Sequence, residues 1–334
     1  MRIINVPIES IENRYSSLWN TWFPLEFIEE KVGFTTIYPQ PLTDKITKGA
    51  FLDVCGTNYF KALQLSELCK KLYDGDIKDG DVIFFHDLWF PGIEMLAYIR
   101  DALGLKFKIA GCLHAGTYDP WDFLTQKGMS RWAHELEESW FEFYDAIFVA
   151  TQFHKNLITE NRVVDERKIH VTYFPIYPIE YPKIEKEDQI VFPHRLHAEK
   201  DPNSFDYWAT LMEDDNWQWV KTFDTCPTRD KYIETLASSR IAVSFAFQET
   251  WGIAMQEAVL CDCIPLVPNK LSYPEIFPGV FRYDNLREGE HQLQYFMTKS
   301  GQRAARIPLG KTKLNIIEKG TSAISKMVKI MRSL

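Results

Sequence analysis

Two glutamates in the second half of the chain lie on either side of a short segment that can start a helix. Glu249 follows an apolar run that ends at Ala246, and Glu257 would lie in the second turn of the helix that begins near Gly252. A helix start gathers free backbone N–H groups and the positive end of the helix dipole, and a glycine lets a ligand approach the backbone closely. The segment therefore predicts a cradle for an anion such as phosphate, flanked by two carboxylates that can accept hydrogen bonds from hydroxyl groups.

Two cations lie in a loop that follows the first apolar strand of the same half. Arg195 offers a planar fork of donors, and Lys200 offers a mobile point charge. Together they could neutralise a leaving diphosphate without a metal ion. Each feature alone has an ordinary structural explanation, as a helix-start glutamate favoured by the dipole or as a pair of surface cations. The helix start with its two glutamates and the loop with its two cations lie in the same half of the chain, which favours a diphosphate-binding site.

Taken together, the two segments resemble the donor domain of the retaining glycosyltransferases of family four. Members of that family share a Gly-Arg-Leu-x-x-x-Lys stretch and a motif of two glutamates with seven residues between them. The first stretch here runs from His194 to Lys200, with His194 in place of the usual glycine, and the second is complete from Glu249 to Glu257. A proline-containing strand and then Pro274-Glu275-Ile276 also look like the family's continuation, in the same order.

The resemblance implies a fold and a role for each of these positions. Its fold is GT-B, an α/β architecture of two facing Rossmann-like domains, and its reaction moves a sugar from a nucleotide-diphosphate donor to a hydroxyl with retention at the anomeric carbon. Arg195 and Lys200 would contact the donor phosphates, Glu249 would hold the sugar, and Glu257 would bind the ribose. The backbone that completes the sugar site would be that of Thr250, Trp251, Gly252 and Ile253.

A histidine of the first half completes the catalytic set that the resemblance implies. The family commonly has a histidine after the fourth or fifth strand that faces the donor sugar, and His114 fits that description. His86 lies at a similar strand end and competes for the role. We favour His114 because Gly116 and Thr117 follow it and leave room for a ligand at the carboxyl edge of the predicted sheet.

The loop after the first strand departs from the family pattern, which commonly has a glycine-rich turn there. This chain has no glycine between Pro7 and Tyr15, so the usual acceptor arrangement is not expected. The acceptor pocket is predicted to come from this loop and from the loop after His114, with Trp121 nearby and with four contact residues: Glu9, Arg14, Tyr118 and Asp119. Aromatic side chains that simply cover the domain explain part of this group equally well.

Apolar runs alternate with amphipathic stretches along the whole chain, which is typical of a parallel sheet wrapped by helices. We predict first-half strands at 2–7, 35–39, 82–86, 107–114, 146–151 and 168–174, with helices at 59–73, 93–103 and 131–143. Second-half strands are predicted at 190–192, 217–223, 241–246 and 264–267, with helices after 202, at 231–237 and from about 252. A proline-rich, charged linker over 175–188 divides the halves.

The predicted organisation is an N-terminal Rossmann-like acceptor domain over 1–180, a nucleotide-sugar donor domain over 181–312, and a C-terminal closing helix over 313–334 that packs back toward the first domain. With 334 residues, of which 46% are hydrophobic, the chain can build two such cores. The absence of a leader-like start and of a long apolar run predicts a cytoplasmic protein, or one in the host cytoplasm if it is phage-encoded.

Several other function classes are disfavoured by motifs that the sequence lacks. There is no Gly-x-Gly-x-x-Gly turn and no complete Gly-Lys-Ser/Thr loop, because Gly310-Lys311-Thr312 has Ala305 where that loop needs its first glycine. These absences disfavour dehydrogenases and kinases, and no Cys-x-x-Cys pair is present that would hold structural zinc. The segments Asp74-Gly75-Asp76 and Asp79-Gly80-Asp81 are better explained as turns before a strand than as metal ligands. We therefore expect no cofactor and no essential metal.

The sequence is compatible with more than one class of acceptor. The short chain, the altered first loop and the segment Phe-Pro-His-Arg-Leu resemble phage-encoded transferases that decorate hydroxymethylated bases, so a base in double-stranded DNA is the first choice. The net charge of −8 disfavours a polyanionic acceptor, but one basic stretch would suit it. Its members are Lys299, Arg303, Arg306, Lys311 and Lys313. The alternatives are a glycan or lipid-linked acceptor, and a non-catalytic protein of the same fold that binds nucleotide sugars or nucleic acid.

Overall fold

The computed structural model describes residues 1–10, 16–42, 53–181, 184–212, 214 and 216–334. The predicted acceptor residue Arg14 and its neighbour Tyr15 lie outside these ranges. The chain divides into two compact units. The first unit comprises Met1–Ala150, His154–Pro175 and Ser322–Leu334, and the second comprises Thr151–Phe153 and Ile176–Thr321.

The first unit is built on a parallel sheet of six strands in the order β2-β1-β3-β4-β5-β6. The strands are β1 (Arg2–Val6), β2 (Gly33–Thr36), β3 (Val82–Phe85), β4 (Lys108–Cys112), β5 (Ala146–Val149) and β6 (Ile169–Val171). All four residues of β3 are buried, as are those of β5, because helices cover both faces of a parallel sheet. The helices are α1 (Ser16–Glu29), α2 (Val54–Tyr73), α3 (Ile93–Leu103), α4 (Phe123–Gln126), α5 (Ser130–Phe143) and α6 (Gln152–Asn161).

No bounds were predicted from the sequence for helix α1, whose buried aromatic side chains contact Phe84 and His86. Its buried residues Trp19, Phe23 and Phe27 recur four apart and lie on one face. The opposite, exposed face also carries apolar side chains: Leu25 is 56% exposed and Ile28 is 61% exposed. With apolar residues on both faces, the sequence shows no clear helical period.

The second unit is built on a parallel sheet of five strands in the order β11-β10-β9-β7-β8. The strands are β7 (Glu187–Phe192), β8 (Gln218–Lys221), β9 (Ser239–Val243), β10 (Ile264–Pro268) and β11 (Arg282–Tyr283). The helices are α7 (Pro202–Leu211), α8 (Thr222–Thr225), α9 (Arg229–Ser238), α10 (Ile253–Leu260), α11 (Tyr273–Ile276), α12 (Leu286–Met297) and α13 (Lys299–Ser333), whose residues from Ser322 onward belong to the first unit. The two parallel α/β units confirm the predicted fold class.

Helix α13 begins at Lys299 and is continuous over 35 residues, whereas the sequence predicted a helix only from residue 313. The part of the helix that was not predicted contains Pro308 and Gly310, and both residues disfavour a helix interior. The structure accommodates Pro308 within the helix, where its carbonyl accepts a hydrogen bond from Thr312 Oγ1 at 2.9 Å. The predicted basic stretch therefore lies on the first half of this helix.

In each sheet the strands are parallel, so their carboxyl ends meet at one edge. The loop with His86 follows β3 and the loop with His114 follows β4, while the segment ending at Lys200 follows β7 and Glu249 follows β9. Open α/β sheets bind ligands at this edge. Within the described residues, none of the helices is both long enough and apolar enough to cross a membrane.

Candidate functional site

Lys200 and Glu249 form an ion pair at the carboxyl edge of the second sheet. Lys200 Nζ lies 3.2 Å from Glu249 Oε2 and donates to the carbonyl oxygen of Gln248 at 2.6 Å. Burial raises the pKa of Glu249, but the Lys200 cation, His194 and the hydrogen bond from the Gly252 N–H together outweigh that effect, so the pKa is lowered. The side chains keep 10% and 13% of their surface exposed. The structure thus places the Lys200 ammonium beside the Glu249 carboxylate, and their contacts with a donor remain a prediction.

The other oxygen of Glu249 shapes the turn that starts α10. Glu249 Oε1 accepts a hydrogen bond from the backbone N–H of Gly252 at 2.8 Å. Gly252 has a φ of 69° and precedes the first helical residue, Ile253. That conformation favours glycine, and a side chain there would also approach the Tyr273 ring. Glu249 therefore holds the predicted anion cradle in shape, and the first-turn amides from Ile253 onward have no partner within the helix.

The remaining predicted donor residues of this turn are Thr250 and Trp251, which lie between Glu249 and Gly252. Trp251 is 3% exposed, so its side chain packs into the second core. Its backbone N–H lies 3.4 Å from Glu249 Oε1. These two residues therefore belong to the same turn as the carboxylate, and their contact with a sugar remains a prediction.

Arg195 is oriented by a glutamate that the sequence did not single out. Its Nε donates to Glu199 Oε1 at 2.8 Å, and the His197 ring contacts the same carboxylate. The Glu199 side chain is 2% exposed and the Arg195 side chain 36%. A buried carboxylate therefore anchors a guanidinium that a phosphate could still reach. No local sequence pattern predicted this contact, because residues 195–197 lie in a loop and not on a helix.

His194, which replaces the family's glycine, is buried beside these cations. Burial lowers the pKa of His194 to about 3, with the Lys200 cation acting in the same direction, so the ring is neutral near pH 7. Its Nε2 makes no hydrogen bond to any residue that the structure describes. The departure from the family pattern therefore adds a neutral, buried ring nitrogen to the donor loop.

Glu257 is bound by two residues of α9 that sequence reasoning missed. Its Oε2 accepts from Arg229 Nη1 at 3.1 Å and from the Tyr232 hydroxyl at 3.1 Å, and its Oε1 contacts Arg229 Nη2. Glu257 is 5% exposed. The predicted contact with ribose remains a prediction, but any ribose hydroxyl would meet a carboxylate that Arg229 and Tyr232 already orient.

Replacing Arg229 by alanine is expected to destabilise the protein by about 3 kcal/mol, because Glu257 would keep its burial and lose its cation. If Glu257 binds the donor, the KM for the nucleotide sugar should rise as well. Lys231→Ala is the matched control on the same helix, since the Lys231–Glu234 pair is 55% and 46% exposed and exposed pairs contribute at most about 1 kcal/mol. Urea unfolding and donor saturation curves measure both effects. Equal stability of the two variants would contradict the role given to Arg229.

In the first unit, His114 is partly buried and His86 is completely buried. His114 Nε2 lies 2.8 Å from the carbonyl oxygen of His86, so that nitrogen carries the proton. Burial lowers the pKa of His114, with Asp87 opposing the shift. His86 is 0% exposed and its Nε2 pairs with Asn5 Oδ1 at 2.8 Å. Exposure therefore favours His114 over His86 as the histidine that meets a ligand.

The predicted acceptor residues Tyr118 and Asp119 are both buried. Tyr118 is 4% exposed, and its hydroxyl lies 2.6 Å from His154 Nε2. Asp119 is 6% exposed and accepts from the backbone N–H of Trp121 at 2.9 Å. Both residues thus hold the loop after His114 in place, and little of either side chain lies at the surface.

Glu9, the remaining predicted acceptor residue that the structure describes, is a buried carboxylate. It is 3% exposed, and its Oε1 accepts from Thr57 Oγ1 at 2.5 Å. Its Oε2 has no hydrogen-bond partner among the described residues. Buried polar oxygens are nearly always hydrogen-bonded, so Oε2 is suited to accept a hydrogen bond from a ligand hydroxyl.

The chain is similar in sequence to a known glycosyltransferase over part of its length. No protein-family model matches the chain. A segment of 151 residues is 28% identical to the tRNA-queuosine alpha-mannosyltransferase of Drosophila melanogaster, covering 34% of this chain and 40% of that protein. The similarity therefore spans less than half of the relative's length.

Solved structures resemble the chain over its whole length. Sucrose-phosphate synthase from Thermosynechococcus elongatus aligns with a TM-score of 0.69 and 10% identity, covering 100% of this chain and 99% of that one. The UDP-forming alpha,alpha-trehalose-phosphate synthase from Burkholderia vietnamiensis aligns with a TM-score of 0.66 and 12% identity, covering 100% of both chains. With its two parallel α/β units and its donor-loop motifs, the chain has the GT-B fold of the glycosyltransferases.

Proposed function

We propose that the protein transfers a sugar from a nucleotide-diphosphate donor to an acceptor hydroxyl, with retention at the anomeric carbon. The observation that carries the proposal is the Lys200–Glu249–Gly252 arrangement, in which one carboxylate pairs with a buried cation and shapes a helix start at the same time. The similar proteins agree with this reaction, because one is named an alpha-mannosyltransferase and another a UDP-forming synthase.

In the proposed reaction, the bond between the anomeric carbon and the donor phosphate oxygen breaks, and the acceptor oxygen takes its place. Arg195, Lys200 and the first-turn amides of α10 stabilise the charge that builds on the leaving diphosphate. The acceptor proton passes to that phosphate. Glu249 accepts from sugar hydroxyls, and the neutral His114 contacts the sugar. Because the cations are side chains, we propose that no metal ion and no cofactor are needed.

The acceptor that we propose is a hydroxyl on a modified base of a nucleic acid. The name of the Drosophila relative supports this class, since queuosine is a modified nucleoside of tRNA. Hydroxymethylated bases in double-stranded DNA present the same chemistry, a hydroxyl attached to a base on a polyanionic backbone. The buried, unused Oε2 of Glu9 supports an acceptor that brings a hydroxyl.

Mass spectrometry of nucleic acids after incubation with a panel of UDP- and GDP-sugars tests this function. The arms are duplex DNA with and without 5-hydroxymethylcytosine, and tRNA with and without queuosine. We expect one modified arm to gain the mass of a sugar, and its unmodified counterpart and the Glu249→Ala variant to show no gain. Donor consumption with unchanged masses in every arm would exclude a nucleic-acid acceptor and leave a glycan or lipid-linked one. No donor consumption at all would contradict the transferase and favour a binding protein.

A further inference from the structure

A cationic groove lies in the second unit, at the edge of the sheet opposite the donor residues. Its cavity measures about 710 Å³ and is lined on one side by residues at the starts of β7, β9 and β10, among them Lys186, Arg240 and Asp262. The Lys200–Glu249 pair follows the carboxyl ends of the same sheet. The groove is therefore separate from the donor site, at a distance of roughly 20 Å along β7.

The other wall of the groove is the first half of α13. It presents Lys299, Arg303 and Arg306, which recur four and three residues apart and so share one helix face. All three are exposed. None of them has an ion-pair or hydrogen-bond partner among the residues that the structure describes. This wall thus carries three cations whose charge is not neutralised by the protein.

The acidic residues of the groove do not cancel these charges. Asp188 pairs with Arg240, with Oδ1 2.8 Å from Nε. Asp262 pairs with Lys313, with Oδ1 2.7 Å from Nζ. Each carboxylate is therefore matched by a cation of its own. The groove is locally positive in a protein whose net charge is −8.

We propose that this groove binds the phosphodiester backbone of the nucleic-acid acceptor, as an exosite remote from the transferred sugar. The inference rests on the proposed function and extends it to substrate binding. Cations along a concave surface fit a linear polyanion, whose backbone carries a phosphate every 3.4 Å or so of each strand. A span of roughly 20 Å corresponds to about six nucleotides of one strand. A polymer can thus occupy both places, whereas a small acceptor at the donor site cannot.

A nucleic acid fits the groove better than a membrane surface does. Helices that lie on membranes present a broad apolar face below the cations. The exposed apolar side chains of this half of α13 are Ile307 and Leu314, at 70% and 68%, and they are not among the residues that line the groove. The cations face a concavity, which a flat bilayer does not fill.

The test compares Arg303→Glu/Arg306→Glu with the matched control Lys106→Glu/Lys326→Glu, which makes the same charge change on exposed lysines of the first unit. Binding is measured by fluorescence anisotropy on a labelled hydroxymethylcytosine duplex and on queuosine-containing tRNA, between about 50 and 200 mM salt. We expect the groove variant to bind the preferred nucleic acid at least tenfold more weakly, with a salt slope shallower by about two. Its KM for that nucleic acid should rise, with nucleotide-sugar KM and donor hydrolysis unchanged.

The outcomes separate this inference from the proposed function. Wild-type affinity and salt slope in the groove variant would overturn the exosite, and so would wild-type protein that binds neither nucleic acid. A selective loss of binding to phosphatidylserine vesicles would overturn it in favour of a membrane surface. Circular dichroism verifies folding, and Arg303→Gln/Arg306→Gln should show an intermediate loss if the charge itself matters. The proposed function is judged separately by the mass assay: it fails if the wild-type protein transfers no sugar to either nucleic acid, whatever the groove variant binds.

Discussion

Replacing Lys200 by alanine is expected to lower the kcat of sugar transfer by roughly a hundredfold or more. The buried ammonium group pairs with Glu249, and in the proposed reaction it neutralises the leaving diphosphate. Steady-state kinetics with saturating donor measure the loss. Lys200→Arg should recover part of the rate, because it keeps the positive charge. The recovery should be incomplete, because the larger guanidinium cannot reproduce the hydrogen bond of Lys200 Nζ to the Gln248 carbonyl oxygen.

A purely structural role for Lys200 predicts a different pattern. Lys200→Ala leaves the buried Glu249 without its cation, so it should also reduce the free energy of unfolding. Adding Glu249→Gln removes the unpaired charge and should restore part of that stability, while kcat stays low. Recovery of the rate in the double variant would show that Lys200 acts only by pairing with Glu249. Unchanged kcat in Lys200→Ala would contradict the assignment of the donor site.

Replacing Arg162 by methionine is expected to destabilise the protein by about 3–5 kcal/mol. Arg162 Nε and Nη2 donate to Glu137 Oε2 at 3.0 and 2.9 Å. The Arg162 side chain is 4% exposed and the Glu137 side chain is 2% exposed. Glu137 also accepts from the backbone N–H of Thr117 at 2.6 Å and from Trp89 Nε1 at 3.0 Å. Loss of the cation would leave a buried carboxylate in the cluster that fixes the loop after His114.

Denaturant unfolding with Arg167→Met as the control tests this prediction. Arg167 belongs to the same unit and pairs with Asp165, but its side chain is 91% exposed, so its loss should cost at most about 1 kcal/mol. If Arg162→Met were no less stable than the control, the buried pair would have no net role. Adding Glu137→Leu should recover stability, because it removes the unpaired buried charge.

The fold was largely predictable because parallel strands produce local sequence signals. Strands such as β3 are short runs of apolar residues buried on both faces, so their position can be read from a few consecutive residues. Helix α1 and the start of α13 were not predicted, for opposite reasons. Helix α1 is apolar on more than one side, whereas the first half of α13 contains Pro308 and Gly310, which its packing and hydrogen bonds tolerate.

For the candidate donor site, the sequence showed the motif but not the side chains that contact it. Lys200 and Glu249 come together because β7 and β9 are neighbours in the sheet, whereas the sequence predicted the strands and not their order. The pairing of Arg229 with Glu257 depends on how α9 packs near α10, and no local pattern specifies that contact. Burial of Tyr118 was equally hidden, since an aromatic residue in a loop can face either the core or a ligand.

The central claim, that this GT-B fold uses a nucleotide sugar, is tested most directly by release of the nucleoside diphosphate. Wild-type protein, Lys200→Ala and Lys231→Ala are incubated with UDP- and GDP-sugars, and UDP or GDP is measured by chromatography. We predict release from at least one donor by wild-type protein and by Lys231→Ala, and roughly a hundredfold slower release by Lys200→Ala. No release from any donor, or equal release by all three proteins, would contradict the account.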